Sequence, residues 1–338
     1  MAIFWNIFIK TIAIFFSVLF IVVLSTILLS FIKDSNEKFI FLSGDENSNN
    51  TIALIELNGV IIENNGYSNL TNPFIISPRK IKKILESLED LSPKVIIFSI
   101  NSPGGTVSAS KNFYEIIKNF KKKSDTEVVF HTNELLASGA YWAASSGDKI
   151  YASYGSIIGS IGVKGPDWFF YDQPKSISTG IFGNTIETKK AIKVFSNKAG
   201  KSKDLLNPFR KPTAYELEHL QNIVNEIYED FVRIVSKERK IEINSLIDDI
   251  GALIYSSNNA AKLHLIDEVF NLEDLIKDIV IKKKFENYKV VKIYNKNNTI
   301  IRQILEGNFN ISALNMEKEC LSMRSSIVAI LSYQSTGC

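Results

Sequence analysis

The sequence predicts an α/β protein with a mostly parallel sheet, preceded by one membrane-crossing helix. Three observations carry this. Residues 11–32 form an uncharged apolar run. From residue 51 onward, short β-branched stretches alternate with segments of helical periodicity. The stretches KVIIFSI (94–100) and EVVFHT (127–132) are nearly all apolar, as strands covered on both faces require.

TIAIFFSVLFIVVLSTILLSFI (11–32) has 22 residues without a charge. At 1.5 Å per residue it reaches roughly 33 Å, enough for a hydrocarbon core. FIKDSNEKF follows it without a small-residue cleavage site, so an uncleaved anchor is expected rather than a signal peptide. Lys10 on one side and Lys33 and Lys38 on the other leave the charge rule for orientation undecided. Residues 1–10 are then a short leading segment, and the Asn/Ser-rich residues 33–50 read as a tether.

TIALIELNGVII (51–62) reads as the first strand of the soluble part. In 77–91, Ser77 is placed to cap a helix and Pro78 to occupy its first position; Ile81, Ile84, Leu85 and Leu88 share one face. After 94–100 comes NSPGG (101–105), then a helix with Phe113, Ile116, Ile117 and Phe120 at helical spacing. The order β-α-β-α-β implies right-handed crossovers, with sites at the C-terminal strand ends. NSPGG and LLASGAY (135–141) both fall at such ends. Residues 211–241 read as a long helix opened by the capping box Thr213-x-x-Glu216, with Leu220, Val224, Ile227, Phe231 and Val235 as its apolar stripe.

The composition excludes several function classes. A net charge of +3 and no basic stripe interleaved with aromatics argue against nucleic acid. The histidines His131, His219 and His264 are scattered, and Cys320 and Cys338 form no CxxC pair, so neither zinc nor another cofactor is expected. Outside the cytoplasm those two cysteines could form a disulfide.

Ser138, between Ala137 and Gly139, is a helix cap on one reading and a nucleophile on another. NSPGG alone is a turn, but next to such a serine its glycines offer backbone N–H donors for an oxyanion. No histidine has a visible acidic partner, which disfavours a Ser-His-Asp triad. A lysine with lowered pKa can serve as base instead, and NKAGKSKDLLNPFRKPT (197–213) offers Lys198, Lys201 and Lys203. Charge and spacing do not choose among these three.

Five stretches together resemble the signal peptide peptidase A (SppA) family, membrane-anchored Ser/Lys peptidases with a ClpP/crotonase-like fold of repeated β-β-α units. They are NSPGG with Val107; ASGAYWAASSGDKIYA (137–152); GSIGV (159–163); KAGKSKD (198–204) with Pro208, Arg210, Thr213 and Glu216; and AAKLHLIDEV (260–269). The resemblance covers about residues 51–270 and implies a peptidase domain over 51–284, with 285–338 as an extension. It implies Ser138 as nucleophile, Lys203 as general base, Ser160 as the residue orienting that lysine, and the Gly105 and Gly139 amides as oxyanion hole. It also implies hydrophobic signal peptides as substrates, a homo-oligomeric ring that can share the dyad between subunits, and a bacterial inner (plasma) membrane location with the catalytic domain outside the cytoplasm. The sequence departs from the family pattern at Ala140 and His264, and in a longer stretch around GPDWFFYDQPKSISTG (165–180). A crotonase-like acyl-CoA enzyme and a non-catalytic membrane scaffold of the same fold are the rival readings.

Overall fold

The computed structural model describes residues 2–31, 38–63, 75–172, 176–179, 184–187, 197–294 and 328–330. Two units are distinct: residues 1–39 with 294–311, and residues 40–293 with 312–338.

The first unit holds α1 (Ala2–Phe31). It begins ahead of the expected span, and its stretch long and apolar enough to cross a membrane is Phe4–Ser25. Lys10 does not interrupt it, since a lysine stem lies along apolar surface while its ammonium reaches water. Thr11, Ser17 and Ser25 donate their hydroxyls to the carbonyls of Ile7, Ile14 and Val22, which satisfies them within the helix itself.

Most of β1 (Lys38–Gly44) belongs to the second unit, so much of the expected tether is ordered structure. The Asn/Ser-rich residues that suggested a linker serve a turn instead. Asp45 Oδ1 accepts from the Asn47 N–H at 3.0 Å, and Asn50 Nδ2 donates to Asn287 O at 2.9 Å.

A β-β-α unit then repeats. β2 (Thr51–Asn58), β3 (Val60–Ile61) and β4 (Ile75–Ile76) lead to α2 (Pro78–Ser87). β5 (Val95–Asn101) and β6 (Gly104–Thr106) lead to α3 (Val107–Lys121). β7 (Glu127–Thr132) and β8 (Leu135–Ala137) lead to α4 (Gly139–Ala144), and β9 (Lys149–Ala152) and β10 (Ile157–Gly159) begin a fourth round. The first strand of each pair enters the main sheet and the second leaves it. The repeat is the superhelix that the family resemblance implied.

After β10 come an antiparallel pair, β11 (Ser176–Thr179) and β12 (Asn184–Glu187), and then α5 (Ala214–Arg239). A π-helical turn (Ser245–Ile250), β13 (Ile254–Ser256), α6 (Ser257–Lys262), β14 (Glu268–Val269), α7 (Leu272–Lys282), β15 (Lys289–Tyr294) and β16 (Val328–Ile330) follow. The main sheet has the order β1-β15-β2-β5-β7-β9-β14. β15 to β14 are joined by parallel pairs, so the sheet takes in strands on both sides of residues 51–284. Two small sheets stand apart, β13-β10-β8 and β16-β6-β3-β4.

Strand alternation sends Ala53, Ile55, Ile96, Phe98, Val128 and Phe130 to one core, and Ile52, Leu54, Val95, Ile97 and Val129 to a second. In the first core Phe98 stacks on Phe130 at 5.1 Å and meets Phe113 edge-on at 6.0 Å. Such pairs contribute about 0.5–1.5 kcal/mol each beyond their burial. The α2 face is buried as its periodicity requires, with Pro78 at the helix start, although the Ser77 side chain makes no cap hydrogen bond. In α5 only the C-terminal half of the expected stripe is fully buried. Phe231 and Val235 are enclosed, whereas Leu220, Val224 and Ile227 are half-buried. Cys320 and Cys338, the two cysteines that could pair outside the cytoplasm, lie outside the described residues.

Candidate active site

The small sheets assemble the site. Ser102 N–H donates to Leu135 O at 2.8 Å, and Ser102 O accepts from Ala137 N–H at 3.2 Å, which ties NSPGG to β8. Asn101 Oδ1 accepts from Thr132 Oγ1 and from the Asn133 and Glu134 amides at 2.9–3.1 Å, fixing the turn that leads toward Ser138. Each polar residue of the motif thus has a structural task before any chemistry begins.

Ser138 joins β8 to α4 with φ 54° and ψ −125°, outside the regions L-residues ordinarily occupy. Such a backbone costs on the order of 1–3 kcal/mol and persists only when its surroundings impose it. They do so here: Ser138 N–H donates to Gly159 O at 2.8 Å, and Ser138 O accepts from Trp142 N–H at 3.0 Å. The hydroxyl is fully buried, and among the described residues Ser138 Oγ has no hydrogen-bond partner. The side chain therefore does not act as the conventional cap it could have been.

Gly105 and Gly139 meet beside it. A Cβ on Gly139 would lie 3.2 Å from Gly105 N and 2.1 Å from Ser110 Oγ; a Cβ on Gly105 would lie 1.8 Å from Ile61 O. Both positions therefore exclude side chains, and their backbones share one small volume. Gly139 is the first residue of α4, so its N–H has no acceptor within that helix.

β8 and β10 run parallel with Ala137 opposite Gly159, which places Ser138 and Ser160 at matching strand ends. Ser160 is buried, has φ 52°, and its N–H donates to Leu253 O at 2.7 Å. Gly159 has φ +121°, and a Cβ there would lie 2.6 Å from Leu253 O.

The three candidate lysines are engaged differently. Lys198 Nζ pairs with Asp204 at 2.5 Å, and Lys201 Nζ lies 3.8 Å from the Tyr215 ring centroid. The Lys203 side chain is exposed and, among the described residues, forms neither an ion pair nor a ring contact. Within one chain it does not hydrogen-bond Ser138 Oγ.

The turn bearing Lys203 is nevertheless fixed. Arg210 donates to both Asp204 oxygens at 2.9 and 3.0 Å and to both Glu216 oxygens at 2.7 and 2.8 Å. Glu216 Oε2 also accepts from Thr213 N–H at 3.0 Å, closing the expected capping box. The Arg210 guanidinium, helped by Lys198, holds the Asp204 carboxyl well below the usual carboxylate range; Arg210 and then the Thr213 amide do the same to Glu216. The extra segment after GSIGV packs on this turn. Trp168 Nε1 donates to Asn207 O at 3.0 Å, and Arg210 lies 5.0 Å from the Trp168 ring centroid. Sequence reading gave Glu216 its place in the capping box but quoted Arg210 and Asp204 only as motif residues; the charges clustered around one arginine were the available signal.

His131 is no rival base. Its Nε2 faces Phe270 O at 3.0 Å, and burial lowers its pKa. His219 stacks on Tyr215.

The chain is similar to several known proteins. A Methanocaldococcus jannaschii protein named as a protease, MJ0651, is 37% identical over 210 residues, 62% of this chain and 63% of that protein. The chain thus spans just under two thirds of that relative's length. An Enterococcus faecium protein named for signal peptide peptidase SppA is 28% identical over 251 residues, 73% of this chain and 68% of that protein. The solved 1510-N membrane-bound stomatin-specific protease superposes with a TM-score of 0.45 at 15% identity, over 76% of this chain and 98% of that one. The model of Peptidase family S49 matches residues 120–286. That stretch, just under half of the chain, carries Ser138, Gly139, Ser160 and Lys203, and over it the chain is similar to peptidase family S49.

Proposed function

We propose that the chain is a membrane-anchored serine endopeptidase in which Ser138 and Lys203 form the dyad. The carrying observation is the buried Ser138 hydroxyl, without partner among the described residues, at a strained turn beside Gly105 and Gly139. Lys203, in its neutral form, takes the Ser138 proton as Oγ attacks a peptide carbonyl carbon. The carbonyl electron pair moves to oxygen and is met by the Gly105 and Gly139 amides. Lys203 then gives the proton to the leaving amine, and water releases the acyl group. Removing one donor of such a hole typically lowers kcat about 10²–10³-fold.

The exposed Lys203 supports a dyad completed by a neighbouring copy in a ring, with Ser160 orienting the incoming amine. An extended apolar peptide, such as a cleaved signal peptide, suits a site reached by strand pairing. β6 offers that pairing; β16 lies antiparallel on it, with Ala329 opposite Gly105, so an incoming peptide takes the place of β16. The apolar helix α1 supports anchoring at the bilayer where such peptides reside.

A fluorophosphonate probe tests this directly on the full chain in detergent. Wild type is expected to label at Ser138 and Ser138→Ala not at all. Lys203→Ala is expected to label at least 10²-fold more slowly, whereas Lys201→Ala labels normally. Peptide hydrolysis surviving in Ser138→Ala would end the reading.

A further inference from the structure

Ser110 is the fourth residue of α3, fully buried, and among the described residues its Oγ has no hydrogen-bond partner. Three serines within or at the end of other helices return their hydroxyls to the backbone of that helix. Ser87 donates to Ile84 O, Ser145 to Tyr141 O and Ser146 to Ala143 O. Ser110 instead directs its hydroxyl at Gly139. The Cβ that Gly139 lacks would lie 2.1 Å from Ser110 Oγ and 3.2 Å from Gly105 N. The Ser110 hydroxyl and the Gly105 amide nitrogen therefore converge on Gly139, the residue that follows Ser138.

A buried hydroxyl without a partner is destabilising, because it has given up water for nothing in return. Other buried side chains also lack partners, Trp142 Nε1 and Ser257 Oγ among them, but Ser110 is the one set against Gly139. We propose that Ser110 is a third donor to the oxyanion, its hydroxyl left free in the resting site and engaged only when the tetrahedral intermediate forms. This rests on Ser138 being the nucleophile. As the Ser138 Oγ–carbon bond forms and the carbonyl pair moves to oxygen, Ser110 O–H turns toward that oxygen. It donates a hydrogen bond and keeps its proton. An interaction made in the transition state and not in the free enzyme raises kcat rather than ground-state affinity. It also accounts for glycine at 139, since any side chain there would displace the hydroxyl.

The test uses the full chain with a peptide p-nitrophenyl ester as substrate and a peptide aldehyde as tetrahedral-adduct probe. Ser110→Ala is expected to lower kcat about 10²-fold with KM within twofold, and to weaken aldehyde binding by a similar factor. Its Tm should stay level or rise by a few degrees, because the unpaired hydroxyl is gone. Ser110→Thr keeps a donor and should recover at least tenfold over the alanine variant. Wild-type kcat and aldehyde affinity in Ser110→Ala would overturn the proposal, as would a lowered Tm accompanied by a KM effect alone. Full ester turnover in Ser138→Ala would instead show that the nucleophile was misassigned.

Discussion

The Ser138 amide donates to the Gly159 carbonyl at 2.8 Å, so the turn bearing one site serine is bolted to the turn bearing the other, Ser160. Gly159 makes this possible with φ +121° and no side chain. Gly159→Ala should therefore destabilise the fold by about 1–3 kcal/mol, from backbone strain together with the clash on Leu253 O. Urea unfolding measures the first effect. Probe labelling of Ser138 should slow by more than the small unfolded fraction explains.

Arg210 joins two carboxylates, and both are held below their ordinary pKa. In the window below the usual carboxylate range, the unfolded chain binds protons that the folded chain does not. Stability from this network is thus present above that range and is lost as pH falls through it. Arg210→Gln should flatten the acid side of the stability–pH curve and leave the slope near neutrality unchanged, as read by urea melts from pH 7 to 3. The same variant frees the Lys203 turn, and kcat for peptide cleavage should fall at least tenfold.

Trp142 stacks on Phe231 at 4.5 Å and 9°. This contact presses α5 against α4. Phe231→Ala should cost about 3–5 kcal/mol in a denaturant melt. A loss under 1 kcal/mol would mean the pocket collapses without harm.

Since β16 occupies the β6 edge, a chain ending before Val328 should accept extended peptides more readily. The expected change is a lower KM with kcat held, checked by steady-state hydrolysis of one apolar peptide by both chain lengths. An unchanged KM would mean that peptides enter by another route.

Much of the fold was legible because its strands are covered on both faces and its helices are amphipathic. The largely apolar runs 94–100 and 127–132 became β5 and β7, and the α2 face is buried as its spacing required. The tether was misjudged because Asn and Ser satisfy turns within a fold as readily as they solvate linkers; Asn50 and Ser48 both bond to Asn287. Residues 285–294 were assigned to an extension, yet β15 pairs with β2 over 237 or more intervening positions, and local periodicity carries no information on such pairing. At the site, the family resemblance pointed to Gly105 and Gly139, and the close approach of Gly105 N to Gly139 is observed. Ser110 stayed unread, because a serine in an amphipathic helix has no local signature of what it faces.

The Trp142 indole has a use beyond packing. It is fully enclosed, four residues past Ser138, and its amide is bonded to the Ser138 carbonyl. If Ser138 is acylated as proposed, any shift of its turn reaches the ring across one helical turn. Its ultraviolet emission, separated from that of Trp5 and Trp168 by replacing those two with phenylalanine, then becomes a built-in optical clock for each turnover.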